Sequence, residues 1–120
     1  EALVRLTAGR WTRSLPGMDG DLVIEGGSDR IGPEALSRGA RGQLYLALRF
    51  GLARHFVARG RALPLIVDDI LVNFDPLRQQ AAAELVGALS HEVQLLFFTC
   101  HPDVVERLRR VVPDLRVVEL

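Results

Sequence analysis

Two adjacent carboxylates, Asp68 and Asp69, end the apolar run of "LPLIVDDILVNFDP", residues 63–76, and a third, Asp75, stands before a proline. A greasy strand that exits on two acids is a candidate for cation and water chemistry. Neighbouring residues on a strand point to opposite sides, so the two acids need not share one job. Held about 6 Å apart, they would repel by roughly 3 kcal/mol at an effective dielectric near 20. A nearby cation relieves that repulsion. Magnesium suits such a place, because it takes one or two carboxylates and keeps its waters for phosphate work. A second apolar run, "VQLLFFTCH", ends on His101, and Asp103 follows two residues later.

The elements that must position these groups can be read from periodicity. "ALVRLTAGRWTRSLPGMDGDLVIEGG" alternates apolar and polar residues around turn clusters at Pro16-Gly17 and Asp19-Gly20, which predicts two or three antiparallel strands. "SDRIGPEAL" reads as a loop. Leu44, Leu48, Leu52 and Phe56 recur every four residues and predict a helix with that stripe as its core face, capped by Ser37 and ended by Gly60. "PLIVDD" lacks alternation and reads as a strand buried on both faces of a parallel sheet. Asp75-Pro76 starts a helix, an Asp cap with proline at the first helical position. "VQLLFFTC" is a second buried strand, with Cys100 as packing. His101-Pro102 opens a further helix, and "LRVVEL" reads as a last strand. The order predicts an α/β chain with a mainly parallel sheet, flanking helices and an antiparallel section at the front.

At 120 residues, 48% hydrophobic and 25% charged, the chain has a globular composition and fits one domain, residues 1–120. No apolar run approaches the ~20 residues of a membrane helix. One cysteine excludes an internal disulfide and fits a reducing cytoplasm. The chain opens on Glu1 and its single methionine is Met18, so it reads as a piece of a longer protein. All 15 basic residues are arginines. A mechanism that needs lysine must borrow it from elsewhere, and no G-x-x-x-x-G-K-S/T phosphate loop exists here. Residues 1–61 carry ten arginines against six acids, and residues 62–120 five against nine. The basic half reads as an ordinary solvated surface.

Four apolar residues followed by two acids have the shape of a Walker B motif, and the surrounding residues give it company. "LSRGARGQ", residues 36–43, resembles the L-S-G-G-Q signature of ABC-type ATPases. "DDILVNFD", residues 68–75, matches in length the acid pair and D-loop written D-E-x-x-S-A-L-D. "LLFFTCH" ends on a histidine as the family's H-loop does. These stand in the family's order over residues 36–101, and the chain resembles the carboxyl-terminal lobe of an SMC-like ABC-type ATPase head, a P-loop NTPase fold, near the YhaN- and SbcC-like DNA-repair ATPases.

The resemblance implies a role for each residue. Ser37, Arg38 and Gly39 would present a helix N-terminus to the γ-phosphate of ATP, an anion site built from free amides and the helix dipole. Arg38 stands where the family has glycine. Asp68 would hold Mg2+, Asp69 would orient or deprotonate the attacking water, and His101 would contact the γ-phosphate. The family has glutamate at the position of Asp69. Asn73 and Asp75 would carry the D-loop's signal across a head-to-head dimer. The implied partners are an amino-terminal lobe of the same protein bearing the phosphate loop, a second head, DNA and a nuclease subunit, with no membrane. Two other readings stay open on the residues alone. One is a stand-alone metal-dependent phosphodiesterase using Asp68, Asp69, His101 and Asp103. The other is a non-catalytic dimerisation lobe.

Overall fold

The computed structural model describes all 120 residues, and the chain packs as two compact units, Glu1–Gly51 and Leu52–Leu120.

The first unit begins with a short helix, α1 (Ala2–Leu6), where alternation had predicted a strand. Leu3 and Leu6 are its buried residues, a spacing of three that fits a helix and not a strand. Thr7 closes it. Its hydroxyl donates to the Leu3 carbonyl at 2.7 Å and accepts the Trp11 amide at 3.0 Å, which turns the chain toward a meander. Strands β1 (Arg13–Pro16), β2 (Leu22–Gly26) and β3 (Asp29–Ile31) pair antiparallel in that order. The expected antiparallel section is therefore present, and it extends into residues read as loop. Gly26 pairs with Asp29, leaving a two-residue turn with Gly27 at φ 59°. Two-residue hairpin turns require positive φ at a central position, and glycine supplies it without a Cβ penalty. Gly26 itself permits a close approach, since a Cβ there would lie 2.0 Å from the Arg10 carbonyl oxygen. The core of this unit is Leu3, Trp11, Ile24, Leu36 and Leu44.

Helix α2 (Arg38–Val57) buries Gln43, Leu44, Leu46 and Phe50. The predicted stripe is corrected here: Leu48 and Leu52 are exposed. A spacing of four overshoots the 3.6-residue turn by about 40° per step, so the stripe winds off the core face after one repeat. The helix ends as predicted near Gly60, which sits at φ 71°. The Gly60 amide bonds the Val57 carbonyl and the Arg61 amide bonds that of Phe56, both at 2.9 Å, the two bonds of a Schellman motif.

The second unit contains β4 (Leu65–Asp68), α3 (Pro76–Ser90), β5 (Leu95–Phe98) and α4 (Pro102–Val111). β4 and β5 pair in parallel, Asp68 opposite Phe98, with α3 as the crossover. Helices α3 and α4 bury Ala82, Ala83, Leu85, Val86 and Leu89 on one and Val104 and Leu108 on the other. Three expectations change. The parallel part of the fold is a single pair of strands rather than the majority. The pair is buried on one face: Val67 is 1% exposed, but Ile66 is 60% exposed, and Leu96 and Phe98 share its open side. "LRVVEL" forms no strand and runs on without regular structure. Its β-branched residues have the propensity, but a strand exists only where a neighbouring backbone completes its ladder.

Candidate functional site

Strand β4 delivers Asp68, its last residue, with the carboxylate exposed. The Asp69 amide still donates to the Phe98 carbonyl, at 2.9 Å, so the ladder runs one residue beyond the strand. Asp69 then takes a left-handed conformation, φ 46°. Aspartate and asparagine tolerate this region better than most side chains, which gives a physical reason for aspartate at this position. The turn brings the Asp69 carboxylate to the exit of β5. The Thr99 hydroxyl donates to Oδ1 at 2.7 Å, and the Cys100 Sγ lies 3.7 Å from Oδ2. The His101 Nε2 is 3.8 Å from the same oxygen. Thr99 Oγ1 in turn accepts the His101 amide at 3.2 Å, so one hydroxyl fixes the acid and the histidine's backbone together.

His101 is the N-cap residue of α4, but its side chain makes no capping bond. Helix initiation is left to its carbonyl, which accepts the Val104 amide at 3.1 Å, and to Pro102. The imidazole is therefore available to face Asp69. Both side chains are about two-fifths exposed, so water reaches the pair and its ionic attraction stabilises the fold little. Cys100 is exposed beside the acid rather than packed, as the strand reading had it. The donor atoms of Asp69, Cys100 and His101 all lie within 4.8 Å of one another. Asp68 and Asp103 stand outside this cluster.

The segment from Asp69 to α3 is tacked down at two points. Leu71 and Phe74 are buried, while Val72 and Asn73 are exposed between them. Gln79 donates its amide to the Leu71 carbonyl at 3.1 Å, and the Phe74 amide bonds the same carbonyl. Asp75 caps α3: its Oδ1 accepts the Arg78 amide at 3.0 Å, with Pro76 at the first helical position. The loop thus presents Asn73 to solvent on a fixed base.

In the first unit, buried Leu36 anchors the start of α2 and Ser37 follows it, exposed. The Ser37 Oγ accepts the Ala40 amide at 3.2 Å, the predicted cap. Capping uses a lone pair and leaves the O–H to donate outward. Arg38 is exposed and Gly39 half-buried in the first turn. The Arg41 guanidinium donates to the carbonyls of Glu34 and Leu36 at 3.1 and 3.3 Å, tying down the loop that precedes the helix. Gln43, 1% exposed, has an amide whose oxygen and nitrogen find no partner within the chain.

Thr99 and Cys100 have no place in the sequence reading of the site, and Gln43 entered it only as the last residue of the signature-like stretch. The available signal for Thr99 was its register two residues beyond Phe97, on the half-buried side of β5. Nothing in the sequence marks the Cys100 side chain as turned toward Asp69, because that depends on the left-handed residue across the sheet. No helix is long and apolar enough to cross a membrane.

No protein-family model matches the chain. Over 73 residues, 59% of its length, it is 41% identical to the uncharacterized protein YhaN of Bacillus subtilis, of which it spans 7%. Its fold superimposes on the Smc head domain of Pyrococcus furiosus, crystallised with an extended coiled coil and bound to the C-terminal domain of ScpA. That match has a TM-score of 0.69 at 22% identity and covers 92% of this chain and 28% of the Smc chain. A second SMC ATPase, from a study of ATP-driven dimerization and DNA-stimulated activation, matches with a TM-score of 0.64 at 23% identity over 88% of this chain and 71% of its own. The resemblance stated from the sequence is thus borne out: the chain shares the fold of part of the SMC head domains and, over more than half its length, is similar in sequence to YhaN.

Proposed function

We propose that this chain is the carboxyl-terminal lobe of an SMC-like ATPase head and supplies one half of a composite ATP site. The observation that carries the reading is the meeting of Asp69 and His101, 3.8 Å apart, at the ends of two adjacent parallel strands. Carboxyl ends of parallel strands are where α/β sheets bind their ligands. An acid held by Thr99 and a histidine beside it suit the orientation of a water molecule and the withdrawal of its proton.

The residues present fit Mg2+ and the γ-phosphate of ATP. Asp68, exposed at the strand end, offers the single hard oxygen ligand that Mg2+ needs when its other ligands are waters and phosphate oxygens. Bound there, the ion would neutralise charge on the phosphates. Asp69 would orient the attacking water, and His101 would donate to a phosphate oxygen. Ser37, with its free O–H, and the first-turn amides at Arg38 and Gly39 suit the γ-phosphate of ATP held by another head. Asn73, exposed on its anchored loop, and Asp75 suit contacts across the same dimer.

The lysine-bearing phosphate loop must come from a different segment, because this chain contains no lysine. The open, apolar side of β4 and β5 suits docking of that amino-terminal lobe, with Ile66, Leu96 and Phe98 as the buried contacts. DNA is the substrate on which such a head would act, in repair or chromosome maintenance, with a nuclease subunit as companion.

The experiment is reconstitution with the phosphate-loop lobe of the same protein. Light scattering should register ATP-dependent head-to-head association, and Ser37→Arg should abolish it. Association that ignores ATP, or survives Ser37→Arg unchanged, would leave a plain dimerisation lobe as the better description.

A further inference from the structure

The geometry points to a binding site for a thiophilic divalent ion, Zn2+ in the first instance, formed by Asp69, Cys100 and His101. This is a different ion, on different atoms, from the Mg2+ assigned to Asp68. The donor set is one carboxylate oxygen, one sulfur and one imidazole nitrogen. Thiolate and imidazole select zinc, cobalt and similar metals over magnesium, which takes hard oxygen ligands.

The spacing is close to what the metal requires. Tetrahedral zinc, with bonds of about 2.0 to 2.3 Å, sets its ligand atoms about 3.3 to 3.6 Å apart. Here sulfur and Asp69 Oδ2 are 3.7 Å apart, Nε2 and Oδ2 are 3.8 Å apart, and all the donor atoms lie within 4.8 Å. Small side-chain rotations close the remainder, and the exposure of Cys100 and the half-exposure of Asp69 and His101 leave room for them. The Thr99 hydroxyl already occupies Oδ1 and so presents Oδ2 to the ion, the outer-shell arrangement that orients metal-bound carboxylates. Three protein ligands leave the fourth position open to water, an open coordination rather than the closed shell of a structural site. On binding, the metal–sulfur bond replaces the S–H bond and the proton goes to solvent.

The ion would occupy the two side chains assigned above to water activation, and on that reading it would switch turnover off. Metal binding itself does not depend on the reading.

Cobalt is the probe, because Cys100 is the single cysteine and any thiolate-to-cobalt charge-transfer band reports this site. Titration of the reduced, metal-free chain with Co2+ should give that band at one ion per chain, with the intense visible bands of four-coordinate cobalt, and Zn2+ should bleach both. Cys100→Ser should abolish the band, and His101→Ala and Asp69→Asn should each weaken binding at least ten-fold. Circular dichroism confirms that each variant is folded. Where Asp69→Asn fails to fold, His101→Ala alone decides. Absence of the band in the wild-type chain, or a band whose affinity is unmoved by His101→Ala, overturns the site. In the reconstituted head, Zn2+ should inhibit the wild type and spare Cys100→Ser. A head that binds cobalt as described but hydrolyses no ATP leaves the metal site standing and removes the ATPase reading. A head that turns over without binding cobalt does the reverse.

Discussion

Thr99 and Asp69, thirty residues apart, are joined by a 2.7 Å hydrogen bond from the threonine hydroxyl to the carboxylate across the ends of two parallel strands. The bond fixes a carboxylate whose own backbone is in the left-handed region, and the same hydroxyl accepts the amide of His101. Asp69 is therefore pre-oriented by a side chain that need not touch substrate.

Thr99→Val tests that positioning role. The substitution keeps the branched shape and removes both hydrogen bonds. Half-exposed hydrogen bonds contribute about 0.5–1.5 kcal/mol each, so the two together should lower the melting temperature by roughly 3–15 °C. The turnover of the reconstituted head, measured well below the melting temperature of the variant, should fall about ten-fold, with the affinity for ATP little changed. Unchanged turnover at a temperature where the variant is fully folded would mean that Thr99 merely holds the strands together.

Gln43 lies fully buried with an unpartnered amide. An unsatisfied buried polar group costs about 1–3 kcal/mol relative to an apolar one of similar shape. Gln43→Met should therefore stabilise the isolated chain by about 1 kcal/mol in urea unfolding. Loss of stability would mean that the amide has a partner in solution.

Asp75 has two assigned roles, helix cap and D-loop residue, and substitutions separate them. Asp75→Ala should destabilise the chain by about 1 kcal/mol, the usual value of an N-cap. Asp75→Ser keeps a capping oxygen and should restore most of that stability. If Asp75→Ser still slows turnover of the ATP-bound dimer, the carboxylate has a role beyond α3. If turnover follows stability in both variants, it is a cap and nothing more.

What the sequence made legible was mostly local chemistry. Asp75-Pro76, His101-Pro102, Ser37 and Gly60 each marked a helix boundary through a specific backbone requirement, and each boundary is where the residue type placed it. The two parallel strands and the convergence of their exits were also legible, because apolar runs between helices leave few alternatives. The misreadings came from longer-range effects. The Leu44–Leu48–Leu52–Phe56 stripe failed because a four-residue period drifts around a helix. Helix α1 was hidden because five residues are too few for a helical period to stand out against the alternation that follows. The one-faced burial of β4 and the missing terminal strand depend on which backbones lie alongside, and no local pattern reports that. Cys100 was misread because its environment is made by Asp69, thirty-one residues earlier in the chain, and no local pattern reports that approach.

The most direct test of a composite ATP site is turnover by this chain alone and by the head reconstituted with its phosphate-loop lobe, with and without Asp69→Asn. Asparagine is nearly isosteric and tolerates the left-handed conformation, so the variant should fold and still associate in ATP. A composite site gives no hydrolysis by the isolated chain, magnesium-dependent hydrolysis by the reconstituted head, and a loss of at least about a hundred-fold on Asp69→Asn. Robust hydrolysis by the isolated chain, unaffected by Asp69→Asn, would contradict it.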